Sequence, residues 1–377
     1  MRIWLLFFGL VLLGGCFTTE PAAPSLSVAE ITQLIPKHVN DRAGWARDVA
    51  DAIAAADRTP TVERSCAVIS VIEQESNFKT DPAVANLPRI VRDGLEKKLS
   101  GLGILSGLAL KALLSGSAPG QRESFNDRIG KLRSERDLDL FFRDMARAYR
   151  GKLPGTFAVA TALNALFDTG DLEDLNPVTT AGSMQVKVSF ARQLDIYRDL
   201  DDAAVRDALY TRSGGVRAGT ARLLGYEAAY DDVIYRFADY NAGLYASRNA
   251  AFQQRLTDLT GLKLALDGDI LAYDGDKPAD RESQTLTAML LIARSHNMWE
   301  WLVRRHANSE KTADFENTYI WNQVSDAWTQ KFRKEPVYAR MPNVALMSPK
   351  LSAKRSTAWF AESVKKRYQA CRSRLAK

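Results

Sequence analysis

Apolar positions recur at three- and four-residue spacing along most of the chain, and no long alternating run occurs. Val28, Ile31, Leu34 and Ile35, then Trp45, Val49 and Ile53, predict helix between Val28 and Asp57. The strongest run extends from Ala67 to Phe78 and carries two carboxylates at its end, Glu73 and Glu75. Thr59-Pro60 predicts its start, with a hydroxyl cap followed by a proline where no N–H is needed. Asp81-Pro82 predicts its stop. On such a helix Val68, Val71 and Ile72 precede Glu75 by seven, four and three residues, so all four share one stripe. Glu73 falls on another face, nearer Cys66 and Ile69.

Further along, Pro88 to Leu99 reads as an amphipathic helix carrying Ile90, Val91, Leu95 and Leu99. Residues 101–114 are apolar but interrupted by glycines, too short and too glycine-rich for a bilayer span. They predict a buried helix or helical hairpin, with a segment dipping into a membrane surface as the alternative. Residues 119–150 form a charged helical stretch, and Thr156 to Phe167 another apolar helix. The loop from Gly170 to Thr180 leads into Ala181-Gly182-Ser183-Met184-Gln185-Val186. Helices follow over 203–209, 216–224, 229–240 and 246–259. After short β-type or irregular structure at 261–275, three more are expected near 282–305, 313–332 and 353–375. The fold class is mostly α, without internal repeats.

Composition changes this picture in few places. A chain of 377 residues predicts two domains or one domain with large insertions. The net charge of +6 is spread without a Lys/Arg block or basic–aromatic interleaving, which argues against nucleic acid as a partner. Histidine occurs only at 38, 296 and 306 and no Cys/His cluster forms, so neither a metal nor another cofactor is expected. The N-terminus is more specific. Arg2, the apolar run Ile3 to Leu13, and Leu13-Gly14-Gly15-Cys16 resemble a bacterial lipoprotein signal, in which Cys16 is lipidated and becomes the first residue. Phe17 rather than Asp after that cysteine favours the outer membrane. Cys66 and Cys371 remain: in an oxidising compartment they pair, and otherwise Cys66 is a buried free thiol and Cys371 an exposed one.

A carboxylate on an apolar helix face is costly to bury ionised, so Glu75 is a candidate general acid. Three ordered pieces extend that idea: Glu75-Ser76, then Gly182-Ser183-Met184-Gln185, then Tyr240-Asn241-Ala242-Gly243. Together they resemble the lysozyme-like lytic transglycosylases of bacterial cell walls, which carry Glu-Ser, Gly-Leu-Met-Gln and Ala-Tyr-Asn-Ala-Gly in that order. Here Ser183 replaces the leucine, Asp239 precedes Tyr240, and residues 88–178 intervene between the first two pieces.

The resemblance implies a mostly α, lysozyme-like domain over 28–260 with a helical insertion at about 88–178. Before it would come a signal peptide (1–15) and a lipidated tether (16–27), and after it a helical extension (261–377). It implies cleavage between N-acetylmuramic acid and N-acetylglucosamine, with Glu75 as acid and then base and a 1,6-anhydromuramyl product. Ser76 would orient the substrate N-acetyl group. Gly182, Ser183, Met184 and Gln185 would line the groove, while Tyr240 and Asn241 would hold Glu75 and the sugar. Two alternatives stand beside it. One is a hydrolytic muramidase with Asp239 or Asp81 positioning water; the other is a non-catalytic glycan-binding lipoprotein. Partners would be peptidoglycan strands and, through the lipid anchor, the periplasmic leaflet of the outer membrane. Glu73 is the rival to Glu75.

Overall fold

A computed structural model describes residues 24–149, 176–346 and 355–375. The expected signal peptide, Cys16, most of the tether and the Thr156–Phe167 helix lie outside these residues. The residues just before the first helix are fastened to the fold: the Leu26 N–H donates to the Pro60 carbonyl at 2.8 Å. Ser27 and Glu30 then form a reciprocal capping box at the start of the first helix.

The described chain is mostly α, with three two-stranded antiparallel sheets. Its first helices are α1 (Val28–Leu34), α2 (Arg42–Ala54) and α3 (Val62–Glu75). Next come α4 (Leu87–Leu99), a 3₁₀ segment (Ser100–Leu105), α5 (Ser106–Ser115), α6 (Phe125–Ile129) and α7 (Glu135–Tyr149). The hairpin β1 (Thr180–Ala181) and β2 (Val186–Lys187) runs into the short α8 (Val188–Ala191). Then follow α9 (Asp202–Leu209), α10 (Arg212–Leu224), α11 (Ile234–Ala242) and α12 (Ala246–Thr260). The last third holds β3 (Tyr273–Asp274), β4 (Lys277–Pro278), α13 (Gln284–Ser295), α14 (Glu300–Ala307) and α15 (Tyr319–Phe332). It closes with β5 (Ala345–Leu346), β6 (Arg355–Ser356) and α16 (Thr357–Arg372).

Burial sorts these elements into three apolar clusters. The first joins α1, α2 and α3 to α9, α10, α11 and α16. The second runs from Leu87 to Val178 and is built from α4–α7, so the segment expected as an insertion has a core of its own. Within it the 101–114 stretch is a helical hairpin: the chain breaks at Gly103 (φ 57°) and α5 returns against α4. The third cluster gathers α12, α13, α14 and α15 around Phe252 and Phe315.

The helices of the expected C-terminal extension divide between clusters: α13, α14 and α15 lie in the third, while α16 packs against α3 and α11 in the first. Phe360, Val364 and Tyr368 form its buried stripe, and Cys371 is bonded to Cys66 of α3 with a Cα–Cα distance of 5.6 Å. The alternative of free thiols is thereby set aside. The pairing explains why the α3 face bearing Cys66 and Glu73 is covered: the chain's last helix lies on it.

Candidate active site

The α3 helix begins two residues later than expected. The Pro60 carbonyl is occupied by Leu26, and Thr61 rather than Thr59 caps the helix, its hydroxyl accepting from the Arg64 N–H at 3.3 Å. Val68, Val71 and Ile72 are fully buried, as their shared stripe predicts. The helix ends on Glu75 itself, well before Asp81-Pro82. Ser76 is the C-cap: its hydroxyl donates to the Ile72 carbonyl at 3.2 Å and accepts from the Lys79 N–H at 3.2 Å. Asn77 and Phe78 both take left-handed backbone, uncommon for a phenylalanine. The Phe78 ring secures the turn by meeting Trp45 edge-on at 5.3 Å. An open cleft of about 550 Å³ lies over this helix end, lined by Glu73, Glu75, Ser76, Asn77, Lys79 and Arg367 among others.

The two carboxylates at this cleft differ in their surroundings. Glu73 faces Arg367 of α16 at 3.9 Å and Arg374 at 3.7 Å. Glu75 has no ion pair or hydrogen bond among the described residues, and burial alone pushes its carboxyl up to about 8. Glu75 is therefore protonated at neutral pH and half-buried beside water, which are the properties of a general acid. Glu73, the rival, is the residue held by arginines.

The other predicted pieces converge only in part. Gly182 to Gln185 form the turn of the β1–β2 hairpin, with Gly182 at φ +80° and so close to Leu209 that a β-carbon would strike its carbonyl. Tyr240 on α11 reaches this turn, its hydroxyl donating to the Met184 carbonyl at 2.6 Å. Burial raises the Tyr240 phenol well above its ordinary range, and the nearby Glu75 charge raises it further. Tyr240 thus links the hairpin to the neighbourhood of Glu75. Met184 and Ser183 are fully buried, and the Ser183 hydroxyl has no hydrogen-bond partner among the described residues. The Gln185 amide folds onto its own turn, donating to the Gly182 carbonyl at 3.3 Å and accepting from Thr180 at 3.0 Å. The Asn241 side chain accepts from Thr357 of α16 at 2.8 Å, and no bond joins it to Glu75. So Glu75 and Ser76 share the cleft, and Tyr240 joins the hairpin backbone to the neighbourhood of Glu75 without lining that cleft, whereas the Gln185 and Asn241 side chains are engaged within the fold.

Neither aspartate suggested as a water-positioning group reaches the cleft lining. Asp239 is fully buried and accepts from Tyr226 at 3.0 Å, Tyr230 at 2.5 Å and the Ser247 N–H at 2.7 Å. Asp81 accepts from Ser134 at 2.8 Å, where the second cluster meets α3's exit. The sequence pattern did not single out Arg367, Lys79 or Arg222. Arg222 packs over Phe190, donates to the Asp239 carbonyl at 3.3 Å, and has its pKa lowered by burial. No motif marks these cations; only the fold brings them near Glu75 and Tyr240.

A family model covers residues 38–374, from just before α2 to just past α16. The chain belongs to the DUF1615 family, whose description is "Protein of unknown function". It is 34% identical over 368 residues to the Escherichia coli (strain K12) protein "Uncharacterized protein YaiW", covering 96% of this chain and 95% of that one. No solved structure matches it. The family span takes in Glu75, the hairpin, Tyr240 and both paired cysteines of this chain, and it ends where α16 has completed the cleft.

Proposed function

We propose that this protein is a lytic transglycosylase with a lysozyme-like catalytic frame, cleaving peptidoglycan strands between N-acetylmuramic acid and N-acetylglucosamine. The observation that carries the reading is Glu75: an unpaired, protonated carboxyl at the mouth of a cleft, on an apolar helix end. Glu75 donates its proton to the glycosidic oxygen as the C1–O bond breaks, while the muramic acid N-acetyl carbonyl stabilises C1. The Glu75 carboxylate then takes the proton of the 6-hydroxyl as that oxygen closes on C1. The product is a 1,6-anhydro sugar, no water is consumed, and one carboxylate suffices. Tyr240 holds the hairpin against the site through the Met184 carbonyl. Lipidation at Cys16 would keep the enzyme on the periplasmic face of the outer membrane, beside its substrate.

The second reading, a glycan-binding lipoprotein without catalysis, draws on Gln185 and Asn241, whose side chains are engaged in the fold. One experiment separates the two. The chain from residue 17 onward is incubated with purified peptidoglycan, Glu75→Gln in parallel, and released muropeptides are analysed by mass spectrometry. Anhydro-muropeptides from the wild type alone are the expected result. Reducing ends that depend on Glu75 would mean hydrolysis instead. Folded protein that binds glycan and releases nothing would leave the binding reading.

A further inference from the structure

The tip of the α4–α5 hairpin is apolar and faces solvent. From Leu99 to Leu110 the chain contains no charged residue. Within that stretch Ile104 is 100% exposed, Leu108 57% and Leu105 43%. The opposite sides of the same helices are well packed, since Leu95, Leu99, Ala109 and Leu113 are buried in the second cluster. The exposed leucines and isoleucine are therefore surplus to that core. An aliphatic tip of this kind, left in water, forfeits the free energy that burial would supply.

Charge is distributed around the base of the tip rather than on it. Lys97 and Lys98 directly precede the apolar stretch and Lys111 directly follows it, all exposed, with Glu96 as the acidic group on the same turn. Lys97 and Lys98 also suit the C-terminal end of α4. The run Leu87–Ser115 has the length and hydropathy of a membrane span. The break at Gly103 and the return of α5 nonetheless make it a two-legged hairpin whose apolar part is only its apex. An apolar apex above a basic collar fits the boundary between acyl chains and anionic headgroups.

We infer that the α4–α5 hairpin is a shallow membrane anchor. Ile104, Leu105 and Leu108 enter the acyl region of an anionic lipid surface, and Lys97, Lys98 and Lys111 meet its headgroups. This contact is independent of any acyl chain on Cys16 and of the chemistry at Glu75. It would orient the second cluster toward the bilayer.

The test uses the chain from residue 17 onward, which has no lipidation site, in flotation with phosphatidylcholine vesicles with or without phosphatidylglycerol. The wild type is expected to float with the anionic vesicles. Ile104→Asp and Leu108→Asp should each lower partitioning about tenfold or more without changing the melting temperature, because neither side chain is packed. Lys98→Glu should weaken binding to the anionic vesicles. In Ile104→Trp, the emission should shift to the blue on adding them. Absence of wild-type flotation, or an Ile104→Asp protein that floats as well as the wild type, would overturn the inference. So would an Ile104→Asp variant that turns a dimer into a monomer in sedimentation, since the tip would then be an interface between copies of the chain.

Discussion

Replacing Glu75 by Gln should make the protein more stable, and by an amount that grows with pH. The Glu75 carboxyl titrates at about 8 in the fold against 4.5 for its unperturbed value. Between those limits the folded chain holds a proton that the unfolded chain has released. The stability it contributes is complete below the unfolded value and is lost as pH rises through about 8. Each unit of difference corresponds to about 1.4 kcal/mol, so the ceiling at pH 7 is about 3 kcal/mol. Water in the cleft reduces that figure, and about 1 to 3 kcal/mol is the expected range at pH 7. Glutamine matches the protonated acid in shape and polarity but does not titrate, so the variant escapes this loss. Urea unfolding of both proteins at pH 5, 6, 7 and 8 measures it without any substrate. The two curves should nearly coincide at pH 5 and separate progressively, Glu75→Gln being the more resistant at pH 8. A constant difference between pH 5 and 8 would show that Glu75 titrates like an exposed carboxylate, and the general-acid assignment would lose its basis.

Two further perturbations test the frame around the site. The Cys66–Cys371 bridge closes a loop of 305 residues in sequence separation, for which the chain-entropy model gives about 6 kcal/mol. Reduction, or Cys66→Ser with Cys371→Ser, should lower the urea midpoint markedly, and an unchanged midpoint under reductant would refute the bridge's role. Gly182→Ala places a β-carbon against the Leu209 carbonyl at a left-handed residue, and about 2 to 3 kcal/mol of destabilisation is expected. Thermal unfolding checks this, and a variant as stable as the wild type would mean that the hairpin turn is not held as described.

Helix α3 was legible from its residues because its signal is local. The stripe of Val68, Val71, Ile72 and Glu75 follows from helix period alone, and so does the placement of Cys66 and Glu73 on a different face. Its ends were not legible, because they are decided by distant partners. Pro60 is tied to Leu26 across the α1 entrance, and Phe78 is drawn into the core by Trp45. The same distinction governs the hairpin. Gly182 marks a turn in any sequence, but whether Gln185 faces a groove or folds onto its own turn depends on Thr180 and the Gly182 carbonyl. Asn241 next to Tyr240 reads as a site residue until Thr357, more than a hundred positions later, claims its side chain. The segment from 88 to 178 stands out in the sequence because it separates the ordered motifs, and among the described residues Leu87 to Val178 form an apolar cluster distinct from the other two.

The division of labour between Glu73 and Glu75 depends on the far end of the chain. Two carboxylates two residues apart on one helix start with equal chemistry, and α16 makes them unequal. It presents Arg367 to Glu73, bonds Cys371 to Cys66 about two turns earlier on α3, and places Thr357 against Asn241 beside Tyr240. Glu73 is thereby given cations, while Glu75, on the stripe it shares with Val68 and Val71, has no ion pair among the described residues and its pKa is raised by burial. An acid that must stay protonated at neutral pH is better served by the second environment, since a nearby guanidinium would lower its pKa and ionise it. The arginines at this cleft therefore help the candidate acid by pairing with its neighbour instead. The last helix thus shapes the surroundings of both carboxylates rather than being an appendage, and the family span, which reaches residue 374, includes it.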